Sequence, residues 1–178
     1  MTKSEILQEF NYRYINSKNN NYIFTGVKDF AIVDEIPDIC SISLPDSFLD
    51  IDYAYNIKID LNQVEVREIL VYIMNILKQM KALDVTLEYP LDFKTKFDVL
   101  RFQHILTNYN KAVQLIFYNI ENLSLEDQML FNEIYYFHSF LYNANTFTKD
   151  GNFQTYFLTG DRVLDNRENY TRVKMVEY

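Results

Sequence analysis

The chain has 178 residues, of which 48% are hydrophobic and 16% aromatic, and it carries a formal net charge of −8. That length fits one domain burying roughly 70% of its unfolded surface, which excludes intrinsic disorder. The lone cysteine, Cys40, excludes an intramolecular disulfide, and the acidic balance argues against duplex nucleic acid, whose phosphates demand concentrated Lys and Arg.

Thr2-x-x-Glu5 has the form of a capping box, and Ile6, Leu7, Phe10 and Tyr14 follow at helical spacing, predicting a first helix that ends by Asn16. Asn19-Asn20-Asn21 reads as a turn. Residues 22–61 read as strands and turns. Pro37 and Pro45 bracket a period-two segment from Cys40 to Leu44. The clearest strand spans 49–61, where Leu49, Ile51, Tyr53, Tyr55, Ile57, Ile59 and Leu61 alternate with mostly polar residues. Such alternation predicts one buried and one wet face. Asn62 and Glu65 form a second plausible cap, opening a helix over about 64–83 with Val66, Ile69, Leu70, Ile73, Leu77 and Met80 inward. Residues 85–89 suggest a short strand. Two long helices are expected over about 95–122 and 125–145, joined tightly at Asn122-Leu123-Ser124, with Ser124 and Asp127 capping the second. Leu106, Tyr109, Val113, Ile116 and Ile120 would then face Leu130, Ile134, Phe137 and Leu141. Residues 153–159 and 170–178 read as strands or an extended tail.

The expected architecture is therefore α+β in a single domain. An N-terminal helix (1–16) and a strand-rich acidic segment (22–61) precede a core of three longer helices (62–150), including an antiparallel helical hairpin. An extended segment (151–178) follows. No internal repeat or linker divides the chain.

Only three glycines occur, Gly26, Gly151 and Gly160, far apart in sequence. Phosphate-cradling loops and nucleophile elbows need two or more at short fixed spacing, so those chemistries are not expected. The histidines fare no better. A di-iron bundle wants Glu three residues before each His, but Arg101 precedes His104 and Tyr135 precedes His138. Cys40 sits among Ile39, Ser41 and Ile42 with acids on either side, the setting of a buried structural thiol. Asp50 and Asp52 share a strand face predicted to be solvated. No catalytic residue, metal or cofactor is expected.

Charge is segregated. From Asp29 to Asp52 the chain has seven acids and no base, whereas Arg162, Arg167, Arg172 and Lys174 cluster near the end. Candidate partner-binding residues are Asp34, Glu35, Asp38, Asp50, Asp52, Arg162, Arg167, Tyr170, Arg172 and Tyr178. Fifteen tyrosines add rigid amphipathic contact area. Residues with AT-rich codons (Asn, Ile, Lys, Tyr, Phe) dominate the vocabulary, pointing to an AT-rich genome such as a low-GC bacterium or its phage.

The longest apolar run, near residues 69–76, falls short of the roughly 20 residues of a membrane span, and the polar start does not read as a signal peptide. An intracellular location is expected, free or within a virion. The leading expectation is a non-enzymatic structural or protein-interaction subunit of a larger assembly, such as a phage virion connector or accessory component, with protein partners and no membrane or duplex nucleic acid. The alternatives are an acidic inhibitor of a host enzyme or defence protein and, behind it, an enzyme with an unfamiliar site.

Overall fold

A computed structural model describes residues 2–14, 21–43, 53–82, 111–131, 153–160 and 173–175. Its elements are α1 (Lys3–Asn11), β1 (Tyr12–Tyr14), β2 (Asn21–Thr25), β3 (Ile39–Ser43), β4 (Tyr53–Asp60), α2 (Ile69–Gln79), β5 (Ala112–Tyr118), α3 (Leu125–Phe131), β6 (Phe153–Leu158) and β7 (Val173–Met175). Short 3-10 turns occupy Phe30–Glu35, Val66–Glu68 and Ile120–Asn122. The strands form one seven-stranded sheet in the order β1-β3-β4-β5-β6-β2-β7. Only β3 and β4 pair antiparallel; every other neighbouring pair is parallel.

Both faces of the sheet centre are covered. On one, α2 and α3 bury Tyr55, Ile57, Ile59, Val113, Leu115 and Phe117, and Phe131 of α3 meets Phe117 edge-on at 5.2 Å between ring centroids. On the other, Ile6 and Phe10 of α1 join Ile32, Val33 and Ile36 over Phe24, Ile116 and Leu158. Parallel strands buried on both faces read as near-continuous apolar runs.

That burial overturns the expected helical core. Residues 112–118 are the central strand β5 and not part of a helix, so the antiparallel hairpin does not exist. Val113, Ile116 and Ile120 do recur at helical spacing, but Ala112 through Phe117 is buried at every position. A short apolar run of this kind cannot be told from a buried helix by period alone. The fold is a mixed, mainly parallel sheet with helices on both faces, not an α+β fold around three long helices.

Smaller differences share this origin. The first helix stops at Asn11, and Tyr12–Tyr14 pair with β3. The strand predicted over 49–61 is seen over Tyr53–Asp60, and its supposed wet face is buried at Ala54 and Asn56, the latter against the end of α1. Asn56 Nδ2 donates to the carbonyls of Phe10 at 3.2 Å and Pro37 at 2.8 Å, tying the end of α1 to the sheet. The helix over 64–83 is shorter, and no side-chain bond caps it at Glu65. Val66, Ile69, Leu70, Ile73 and Leu77 are buried as the spacing predicts; Met74 is buried too, and Met80, expected inward, is only partly buried.

Two caps form as read. At the N-terminus the Glu5 N–H donates to Thr2 Oγ1 at 3.3 Å while the Thr2 N–H donates to Glu5 Oε2 at 2.6 Å. The Thr2 backbone N–H, and then the Thr2 side chain, hold the Glu5 carboxyl below its usual range. At α3 the Asp127 N–H donates to Ser124 Oγ at 3.1 Å, and the hydroxyl donates to Asp127 Oδ2 at 2.8 Å. Cys40 is buried in β3, as expected. The strand predicted over 85–89, the helical stretches over 95–110 and 132–145, and both histidines lie outside the described residues. Among the described residues no helix is long and apolar enough to cross a membrane.

Candidate functional site

Strands β4, β5, β6, β2 and β7 all run the same way, so their carboxyl ends share one edge of the sheet. In parallel sheets the crevice outside those ends is where ligands bind. Here the loops at that edge are laced together by short polar side chains. Asp60, the last residue of β4, accepts at Oδ1 from the Asn62 N–H at 2.9 Å and from Asn119 Nδ2 at 2.7 Å. Asn122 Nδ2 reaches Asn62 Oδ1 at 3.0 Å. Asn119 sits at φ 62°, a left-handed conformation that Asn tolerates better than most side chains. The loop after β6 joins through the Gly160 N–H, which donates to Glu121 Oε1. Gly26, at φ 78°, donates its N–H to the Gly160 carbonyl at 2.7 Å.

A cleft of about 420 Å³ opens beside the end of β4, lined by Lys58, Asp60, Gln63, Val64, Glu68, Val71, Tyr72, Asn75 and Tyr118. The Tyr72 hydroxyl donates to the Lys58 carbonyl at 3.3 Å, and the Tyr118 ring rests 6.0 Å from that of Phe30. Burial, then the Asp60, Asp34 and Tyr72 charges, push the Tyr118 phenol up to about 12. Burial and Asp60 raise Tyr72 as well. Both hydroxyls therefore remain donors at neutral pH. Lys58 Nζ is drawn to Asp38 at 3.4 Å. A second cleft, of about 640 Å³, lies between residues 61–67 and 122–127. Arg67 and Glu126, both exposed, pair near it at 3.7 Å.

Large apolar side chains also reach solvent. Leu125 is 75% exposed and Met129, one turn along α3, is 66% exposed. Ile39 of β3 and Tyr53 of β4 are exposed on the side of the sheet that carries Tyr55, whose hydroxyl meets that of Tyr53 at 3.5 Å. Burial and that bond push the Tyr55 phenol up to about 12.

Of the ten residues proposed from charge segregation, three are described. Asp34 is exposed at the end of the first 3-10 turn. Glu35 is bound to Lys3 of the same chain at 2.5 Å, and Asp38 faces Lys58. The fold does not gather them with the carboxyl-edge cluster, although the Asp34 charge is felt at Tyr118. Asp50, Asp52, Arg162, Arg167, Tyr170, Arg172 and Tyr178 lie outside the described residues. Lys174, between the last two arginine and tyrosine candidates, falls in strand β7 beside β2.

The carboxyl-edge residues Asp60, Tyr72, Tyr118 and Asn119 escape sequence reading because they lie up to 59 positions apart. The signal that could have found them is a strand ending in Asp-Leu-Asn and another ending in Tyr-Asn, each followed by a cap. Gly26 and Gly160, isolated in sequence, meet for the same reason. No known family pattern matches the chain, and no characterised protein is significantly similar to it.

Proposed function

We propose that the chain is a non-enzymatic, protein-binding subunit of a larger assembly, and that the outer face of α3 is its main contact. The observation that carries this reading is the Leu125–Met129 pair, 75% and 66% exposed on a helix whose other side is anchored in the core by Phe131. Apolar side chains at i and i+4 with a polar rim suit docking of another protein chain, first of all a second copy. The rim is supplied by the Arg67–Glu126 pair and Asp127. The AT-rich residue vocabulary suits a phage or mobile-element component. An acidic inhibitor is less favoured, because Glu35 and Asp38 already face bases of their own chain.

The test is association, followed by light scattering on a sizing column over a range of concentrations. Leu125→Glu with Met129→Glu should shift the protein toward monomer, or release a copurifying partner, while the melting temperature stays within a few degrees. Surface substitutions away from buried features usually change stability by no more than about 0.5 kcal/mol. An unchanged assembly in the folded double variant would overturn the reading.

A further inference from the structure

The described residues that line the 420 Å³ cleft beside β4 include two acids, Asp60 and Glu68, one base, Lys58, and two aromatic residues, Tyr72 and Tyr118. Asp60 spends Oδ1 on Asn62 and Asn119, and its Oδ2 has no hydrogen bond among the described residues. Glu68 is exposed on the turn before α2 and has no ion-pair partner among the described residues. Lys58, the single base among the described residues that line the cleft, is drawn to Asp38 at 3.4 Å. An anion placed here would meet two carboxylates. A neutral apolar group would strip water from those carboxylates with nothing in return. A cation with flat apolar faces fits both features. Guanidinium is planar, weakly hydrated and always charged; it forks onto carboxylates and stacks on aromatic rings. A volume of about 420 Å³ also leaves room for its alkyl arm.

We infer that this cleft is a binding site for a guanidinium group, taken between the Asp60 and Glu68 carboxylates and the Tyr72 and Tyr118 rings. The site is independent of the α3 contact face and stands whether or not that face docks a partner.

The probe is methylguanidinium, with methylurea as its neutral isostere, titrated into ¹⁵N-labelled protein at low salt. Methylguanidinium should give saturable shifts centred on the amides of Glu68, Tyr72 and Tyr118, and methylurea none. Glu68→Gln should weaken binding by about two- to fivefold, the range expected for an exposed charge pair, without altering the melting temperature. Asp60→Asn should weaken it further, but Asp60 also fastens the Asn119 loop, so Glu68→Gln is the deciding variant. Equal binding of methylurea would overturn the site, as would unchanged affinity in Glu68→Gln or at raised salt. Two further ligands separate the sources of the group. Tighter binding of N-acetyl-arginine amide than of agmatine would assign the site to an arginine side chain of a protein. The reverse order would assign it to a free small cation, and failure of both would overturn it.

Discussion

Asn119 does two jobs with one side chain. It occupies the left-handed turn after β5 at φ 62°, and its amide donates to Asp60 at 2.7 Å. Those contributions can be separated. Asn119→Gly loses the hydrogen bond but relaxes the backbone, whereas Asn119→Ala loses the bond and keeps a Cβ in the left-handed region. Both variants should be less stable than the parent, with Ala below Gly by about 1 kcal/mol. Urea unfolding of the three proteins checks the order; Ala equal to or above Gly would show that the backbone there is not constrained.

Element scale is where β4, β5 and β6 carry a polar row through an apolar sheet. Asn56, Gln114 and Gln154 are in register on neighbouring strands. Gln114 is 1% exposed, and neither amide atom has a hydrogen-bond partner among the described residues. A buried polar group without a partner costs about 1–3 kcal/mol. Gln114→Met keeps the length of the side chain and removes that cost, so it should raise stability by about 1 kcal/mol or more, measured as a shift in the urea midpoint at constant slope. A loss of stability would mean that the amide is satisfied in solution. Legibility also divides along element lines. The caps at Thr2 and Ser124, the inward face of α2 and the strands at 39–43, 53–60 and 153–158 were readable, because each is marked by a residue pattern within a few positions. Strand β5 was not, because Val113, Ile116 and Ile120 fit a helical stripe until the strands on either side are known. The carboxyl-edge cluster was invisible for the same reason: Asp60 and Asn119 become neighbours only once β4 and β5 pair.

At the scale of the whole molecule, three tyrosines among the described residues shape its response to alkali. Tyr55 and Tyr118 are pushed up to about 12, chiefly by burial, and Tyr72 is raised as well. A phenol raised in the folded state keeps its proton after the unfolded chain has lost its own. The stability this linkage protects is intact below the ordinary tyrosine value of 10.0 and drains as pH climbs through about 12. Thermal melts should therefore be flat up to about pH 10 and fall steeply above it. Tyr118→Phe should soften that fall while leaving melting near neutral pH almost unchanged; an identical alkaline profile would mean that the hydroxyl is freely hydrated. The placement of β2 has a different consequence, in the order of synthesis. Residues 21–25 leave the ribosome long before both neighbours of their strand, β6 and β7, are made. Until then Phe24, fully buried in the finished sheet, has no strand beside it. The nascent chain must carry an unpaired strand until β6 is made. Closing so long a loop is slow, and open strand edges are where aggregation begins. Completion of the sheet thus waits on the synthesis of β6 and β7.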